Sequence, residues 1–133
     1  MKPSLLKTLL SANSAYAAAL GSHDGGIKLY PAGNVQQGVR RPYAAFTQVS
    51  RIEAQDKTGR GIYTVNVQID HYANSIDQAA ELEALCIAVL NRYKGVVDGQ
   101  KVKSIRVQGG NDGYHEGQEA NHRLTEFSIK IQG

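Results

Sequence analysis

The chain has 133 residues, 41% of them hydrophobic and 20% charged. That length fits one domain and buries roughly two-thirds of the unfolded surface, enough to fold without disulfides or a structural metal. The net charge of +3 is too even for a dedicated nucleic-acid binder, and one cysteine, Cys86, excludes an intramolecular disulfide framework or a multi-cysteine metal site.

Residues 3–20 read as helical, because Leu5, Leu9, Ala12, Tyr16 and Ala19 recur at spacings of four and three along one face. Pro3 suits the first turn and Gly21 suits a stop. Ser11, Asn13 and Ser14 are cap-type residues, so the segment is one helix or two short ones. Lys7, Thr8, Ser11, Asn13 and Ser14 interrupt the apolar run too often for a secretory signal, and the segment is expected to belong to the fold. No stretch approaches the roughly 18 consecutive apolar residues of a membrane span.

Residues 21–42 are rich in glycine and hold Pro31 and Pro42. A brief strand through Ile27, Leu29 and Tyr30 ends at Pro31, and a surface loop with Arg40 and Arg41 follows. Residues 43–53 and 61–72 read as a hairpin. In the second arm Tyr63, Val65, Val67, Ile69 and His71 alternate with Thr64, Asn66, Gln68, Asp70 and Tyr72, the period of a half-buried strand. The first arm alternates less cleanly through Ala44, Phe46, Gln48, Ser50 and Ile52. The polar connector from Ala54 to Arg60 makes an exposed tip.

Residues 75–94 read as a long helix. Ser75 and Gln78 match a capping box, Asp77 adds negative charge to the first turn, and Leu82, Leu85, Cys86, Val89 and Tyr93 form an apolar stripe. Arg92 and Lys94 fall in the expected last turn, with Gly95 beyond it. Residues 102–108 are a strand through Val102, Ile105 and Val107. Residues 109–121 are a long polar connector, and residues 123–132 are a closing strand through Phe127, Ile129 and Ile131.

The order is helix, short strand, strand, strand, helix, strand, strand. It predicts an α+β fold: an antiparallel sheet of four to five strands with two helices packed on one face. The other face is wet, built from Asn66, Gln68 and Asp70, from Glu126, Ser128 and Lys130, and from Gln48 and Ser50. One domain spans residues 1–133.

The search for chemistry returns little. His115, Glu116 and Glu119, with His122 nearby, imitate a zinc-binding helix, but Gly113 and Gly117 argue for a polar loop. Asp70 and His71 point to opposite faces of their strand, so His71 packs inward and Asp70 faces water or a neighbouring chain. Cys86 reads as a buried small hydrophobe. Arg40, Arg41, Lys57, Arg60, Lys101, Lys103 and Arg106 read as solvated charge. No catalytic residue, metal ligand or cofactor site emerges.

The pattern resembles the phage tail completion family, tail terminator proteins that cap a tail where it joins the head. Ile27-Lys28-Leu29-Tyr30-Pro31 is similar to that family's short strand, and Arg41-Pro42-Tyr43-Ala44-Ala45-Phe46 to the opening of its first long strand. Val65-Asn66-Val67-Gln68-Ile69-Asp70-His71-Tyr72 is similar to its alternating strand, and Phe127-Ser128-Ile129-Lys130-Ile131 to its closing one. The resemblance implies a virion structural protein without catalysis, made in the host cytoplasm. It implies a homo-oligomeric ring, a hexamer, stacked on the tail tube protein, facing a head-tail connector protein, with genomic DNA passing through the lumen. On that reading Gln55, Asp56, Lys57, Thr58, Arg60, Asp112, His115 and Glu116 are candidate ring contacts. Arg40 and Arg41 are candidate lumen residues. The alternatives are a small basic nucleic-acid-binding module and a metal-dependent hydrolase using His115, Glu119 and His122.

Overall fold

The structure, a computed structural model, describes residues 4–35, 38–53, 61–113 and 121–132. Among them are three helices, α1 (Ser4–Ser11), α2 (Ser14–Leu20) and α3 (Ile76–Leu90). The strands are β1 (Ser22–His23), β2 (Gly26–Ile27), β3 (Leu29–Pro31), β4 (Tyr43–Glu53), β5 (Ile62–Tyr72), β6 (Gly95–Val97), β7 (Gln100–Gly113) and β8 (His122–Gln132). β1 and β2 form a two-stranded hairpin, and the rest form a six-stranded sheet in the order β3-β4-β5-β8-β7-β6.

The α+β class stands, with three helices instead of two and six strands in the main sheet instead of four or five. The first helical segment divides because Asn13 turns out of the helix and its side chain accepts from Tyr16 N at 2.9 Å. That caps a new helix and satisfies one of its orphan donors. The break also re-aims the apolar face. Leu5, Leu6, Leu9, Leu10, Tyr16 and Leu20 are buried, whereas Ala12 is exposed. Gly21 closes α2 at φ +83°, where a residue with a Cβ is strained. The sheet is mixed: β3 runs parallel to β4, pairing Leu29 to Pro31 with Ala44 to Phe46. Every other neighbouring pair is antiparallel.

β5 and β8 lie at the centre and pair without interruption from Ile62↔Gln132 to Tyr72↔His122. Residues directly opposite share a face. Tyr63, Val65, Val67, Ile69, Phe127, Ile129 and Ile131 therefore point to the helices and are buried. They join Leu82, Cys86 and Leu90 of α3 and the α1–α2 leucines in a single hydrophobic cluster. Each fully buried Leu or Ile contributes about 1.5–3 kcal/mol by leaving water.

Three boundaries differ from the sequence reading, each for a tertiary reason. Ser75 caps α3, accepting from Gln78 N at 3.1 Å, while Gln78 Oε1 accepts from Asn74 N at 2.8 Å. The helix then stops at Leu90, not at Lys94, because Arg92 takes φ +69° and its N–H donates to Ile105 O of β7 at 2.7 Å. Gly95 opens β6 instead of ending the helix. β7 runs to Gly113 through a stretch expected to be connector, since β8 offers it a partner from Lys101↔Gln132 to Gly113↔His122, with register shifts after Val102 and after Val107. Glycine is a weak strand former by propensity, and pairing overrides that here. Finally, a bulge in β4 between Gln48 and Ser50 switches the side-chain phase. Gln48 opposes Val67 in the register but its side chain is exposed, and beyond the bulge Ser50 opposes Asn66 on the wet face.

Candidate functional site

The register sets the two long hairpin connections at opposite ends of the sheet. Residues 54–60 leave from the end where Glu53 pairs with Tyr63 and Ile62 with Gln132. Residues 114–120 leave from the other end, where Gly113 pairs with His122 and His122 with Tyr72. Gln55, Asp56, Lys57, Thr58 and Arg60 lie outside the described residues, as do His115, Glu116 and Glu119. Asp112 sits in β7 opposite Arg123. Arg40 is exposed, and its carbonyl accepts from Lys28 Nζ at 3.1 Å. Arg41 is half-buried, donating from Nη1 to Ala73 O at 3.3 Å, with its guanidinium 5.8 Å from the Tyr72 ring centre.

The end of the sheet beside residues 114–120 carries a cluster on its wet face. Tyr43, Tyr72 and His122 occupy neighbouring positions on β4, β5 and β8, so their rings stack in a row. Centroids are 5.0 Å apart between the tyrosines and 4.5 Å between Tyr72 and His122, the latter pair nearly parallel at 4°. His122 Nε2 lies 2.6 Å from Asp70 Oδ1, and Gln68 Nε2 donates to Asp70 Oδ2 at 3.0 Å. Both members of the Asp70–His122 pair are buried, with side chains 9% and 5% exposed. Asp70 thus does not face water as the strand period implied. Burial, then the negative charge of Asp70 and neighbouring Tyr43, raise the Tyr72 hydroxyl pKa, against a smaller lowering by Arg41.

An Asp–His pair invites an acid/base reading. The geometry does not serve one: Nε2 is committed to the carboxylate, one ring face to Tyr72, and the imidazole is nearly sealed from solvent. The cluster's chemistry is structural. It pins together the ends of β4, β5 and β8, at the end of the sheet where residues 114–120 connect β7 to β8.

On the helix face of the same strand end, His71 meets Tyr16 of α2, with Nε2 2.6 Å from the hydroxyl and the rings edge-on at 79°. Burial, reinforced by the charge of His122, lowers the His71 pKa to about 4. Burial also pushes the Tyr16 hydroxyl and the Cys86 thiol upward. A thiol held protonated in the core is inert, so Cys86 is a packing residue. Between α3 and β8, Glu83 accepts from Thr125 Oγ1 at 2.7 Å and sits 3.8 Å from Arg123. Among the described residues no three His, Cys, Asp or Glu side chains converge on a metal-sized site. No helix among them is long and apolar enough to cross a membrane.

Sequence reasoning placed His71 and Cys86 correctly and missed the Asp70–His122 pair. Those residues are 52 apart, and only the β5–β8 register joins them. No local signal marks such a pair.

The family model described as tail completion protein gp17 matches residues 5–132. No curated protein sequence matches. A chain in a structure titled as the virion of a native gene transfer agent particle is similar in fold. It has a TM-score of 0.74 at 18% identity over 98% of this chain and 93% of that chain.

Proposed function

This chain belongs to the tail completion protein gp17 family, structural components of phage-type tails, and on that premise we propose that it acts as one subunit of a closed ring at the end of the tail tube. The ring is a hexamer, stacked on the tail tube protein on one side and meeting the head-tail connector on the other, with genomic DNA passing through its lumen. The observation that carries this reading is the family match across nearly the whole chain. The opposed exits of the two long hairpin connections support it. A subunit that must touch like neighbours and two unlike rings needs contacts at both ends of its sheet, and heterologous contacts close into a ring when the rotation per subunit fits.

In this reading residues 55–58 and 60 of the first connection, together with Asp112, His115 and Glu116, reach neighbouring subunits. Arg40, exposed before β4, faces the lumen, while Arg41 is largely taken up in holding the β5 end. A few cations on a lumen wall hold DNA weakly and without sequence preference, which lets it slide. The function needs no catalytic step. Replacing residues 55–59 by a short turn should leave circular dichroism and melting unchanged. In particles lacking the native subunit, that variant should fail to complete tails. Full tail completion by a folded variant removes the hairpin from the interface.

A further inference from the structure

Below the last turn of α3 the chain builds a groove of about 580 Å³, lined by Arg92, Tyr93, Lys94, Lys103, Arg106 and Val107 among others. The backbone makes it: Arg92 N donates to Ile105 O, and Asn91 Oδ1 accepts from Val107 N at 3.2 Å, so the post-helix loop is laid along the edge of β7. Four of the lining residues are cations and none is acidic. Arg92, Lys94 and Arg106 are exposed and have no side-chain partner among the described residues. Gathering like charges costs stability, and it creates a field that attracts an anionic group.

The opposite end of the same helix has the complementary character. Asp77 and Glu81 are exposed there, and Ile76 stands 62% exposed beside them. The helix macrodipole accounts for Asp77 in the first turn but not for Glu81 or an apolar side chain in water. Apolar surface marks both ends. Val107 lines the groove at 37% exposure. The two ends are separated by the fifteen residues of α3, about 22 Å at 1.5 Å per residue.

We propose that the basic groove after α3 receives the acidic start of α3, Ile76, Asp77 and Glu81, from a second copy of this chain. The proposal rests on the ring reading and names its subunit contact. A basic end cannot meet another basic end, nor an acidic end its like, so the pairing is head-to-tail. That pairing can propagate around a ring, as the ring reading requires, or form twice about a two-fold axis with α3 antiparallel, and the mass seen by light scattering separates the two. Ile76 meeting Val107 supplies the apolar centre that a purely ionic contact lacks. Nucleic acid would satisfy the cations but would leave Ile76 and Val107 in water, so the protein partner is the better fit.

The test uses the full chain. Arg92→Glu with Arg106→Glu reverses the groove, and Asp77→Lys with Glu81→Lys reverses the helix start. All four side chains are exposed, and circular dichroism checks the fold. Light scattering should show each doubly reversed variant associating at least tenfold more weakly than wild type. An equimolar mixture of the two should reassemble, because each reversed end then meets its new complement. In parallel, an Ile76→Cys, Val107→Cys variant treated at high concentration with a short bismaleimide should give a covalent ladder, and each single-cysteine variant none.

An intact oligomer in both reversed variants with no ladder refutes this contact and leaves the ring standing. Wild type that stays monomeric at every concentration, again with no ladder, removes the ring reading and this contact together. If reversing the groove abolishes salt-sensitive binding of a 20-base-pair duplex while the oligomer is intact, the groove belongs to DNA and the proposal is overturned.

Discussion

His71 is a buried base held neutral, and its cost is legible in the pH dependence of folding. Protonating the ring would place a positive charge near His122 and against the Tyr16 hydroxyl, which in turn meets the Cys86 thiol. Hydroxyl and thiol are pushed upward in pKa and both are neutral at acid pH. The ring's Nδ1 is buried without an acceptor. The unfolded chain binds this proton at pH 6.5, and the folded chain does so only near pH 4. The stabilisation is therefore complete above pH 6.5 and is lost as pH falls through the window from 6.5 to 4. A difference of that size corresponds to about 3 kcal/mol, most of it gone by pH 4.5. Urea unfolding followed by circular dichroism, at half-unit steps from pH 7.5 to 4.5, measures it. In His71→Gln the imidazole is gone and the loss across this window should shrink by about 2 kcal/mol or more relative to wild type. Parallel stability curves for the two proteins would show that burial does not hold this imidazole neutral, and the reasoning about the Tyr16–His71–Cys86 cluster would be wrong.

Three further outcomes are expected. Asp70→Ala leaves His122 buried against the Tyr72 ring without its carboxylate, a loss of about 3 kcal/mol in urea unfolding at neutral pH. A cost below about 1 kcal/mol would mean that the pair is solvated. Asn13→Ala removes the cap on Tyr16 N and should lower stability by about 1 kcal/mol, with amide exchange rising first in α2; unchanged exchange there would count against the cap. Phe127→Ala empties a fully buried site facing α3. It should cost about 3–5 kcal/mol in the same unfolding assay, and a small effect would show that the helices close over the gap.

What was legible in advance was whatever repeats at short range. Period two marked β5 from Tyr63 to His71, the Ser75–Gln78 cap marked the start of α3, and Asn13 with Ser14 raised the break between α1 and α2. The assembly role came from the likeness of several segments in order. The groove after α3 was not legible, because it joins Arg92 and Lys94 to Lys103 and Arg106. In the sequence the first two looked like a helix's last turn and the others like scattered strand charge.

Local sequence determined the two long strands β5 and β8, the start of α3 and the apolar faces of these elements, since those follow from propensity and spacing within a few residues. Tertiary structure decided the rest. The β5–β8 register brings Asp70 to His122, and the β4 bulge sets Ser50 opposite Asn66 on the wet face. Pairing with β8 carries the glycines of β7 into a strand, and a hydrogen bond from Arg92 to Ile105 ends α3 early. Each is a contact between residues far enough apart in the chain that only the closed fold makes it favourable, so no local pattern encodes it.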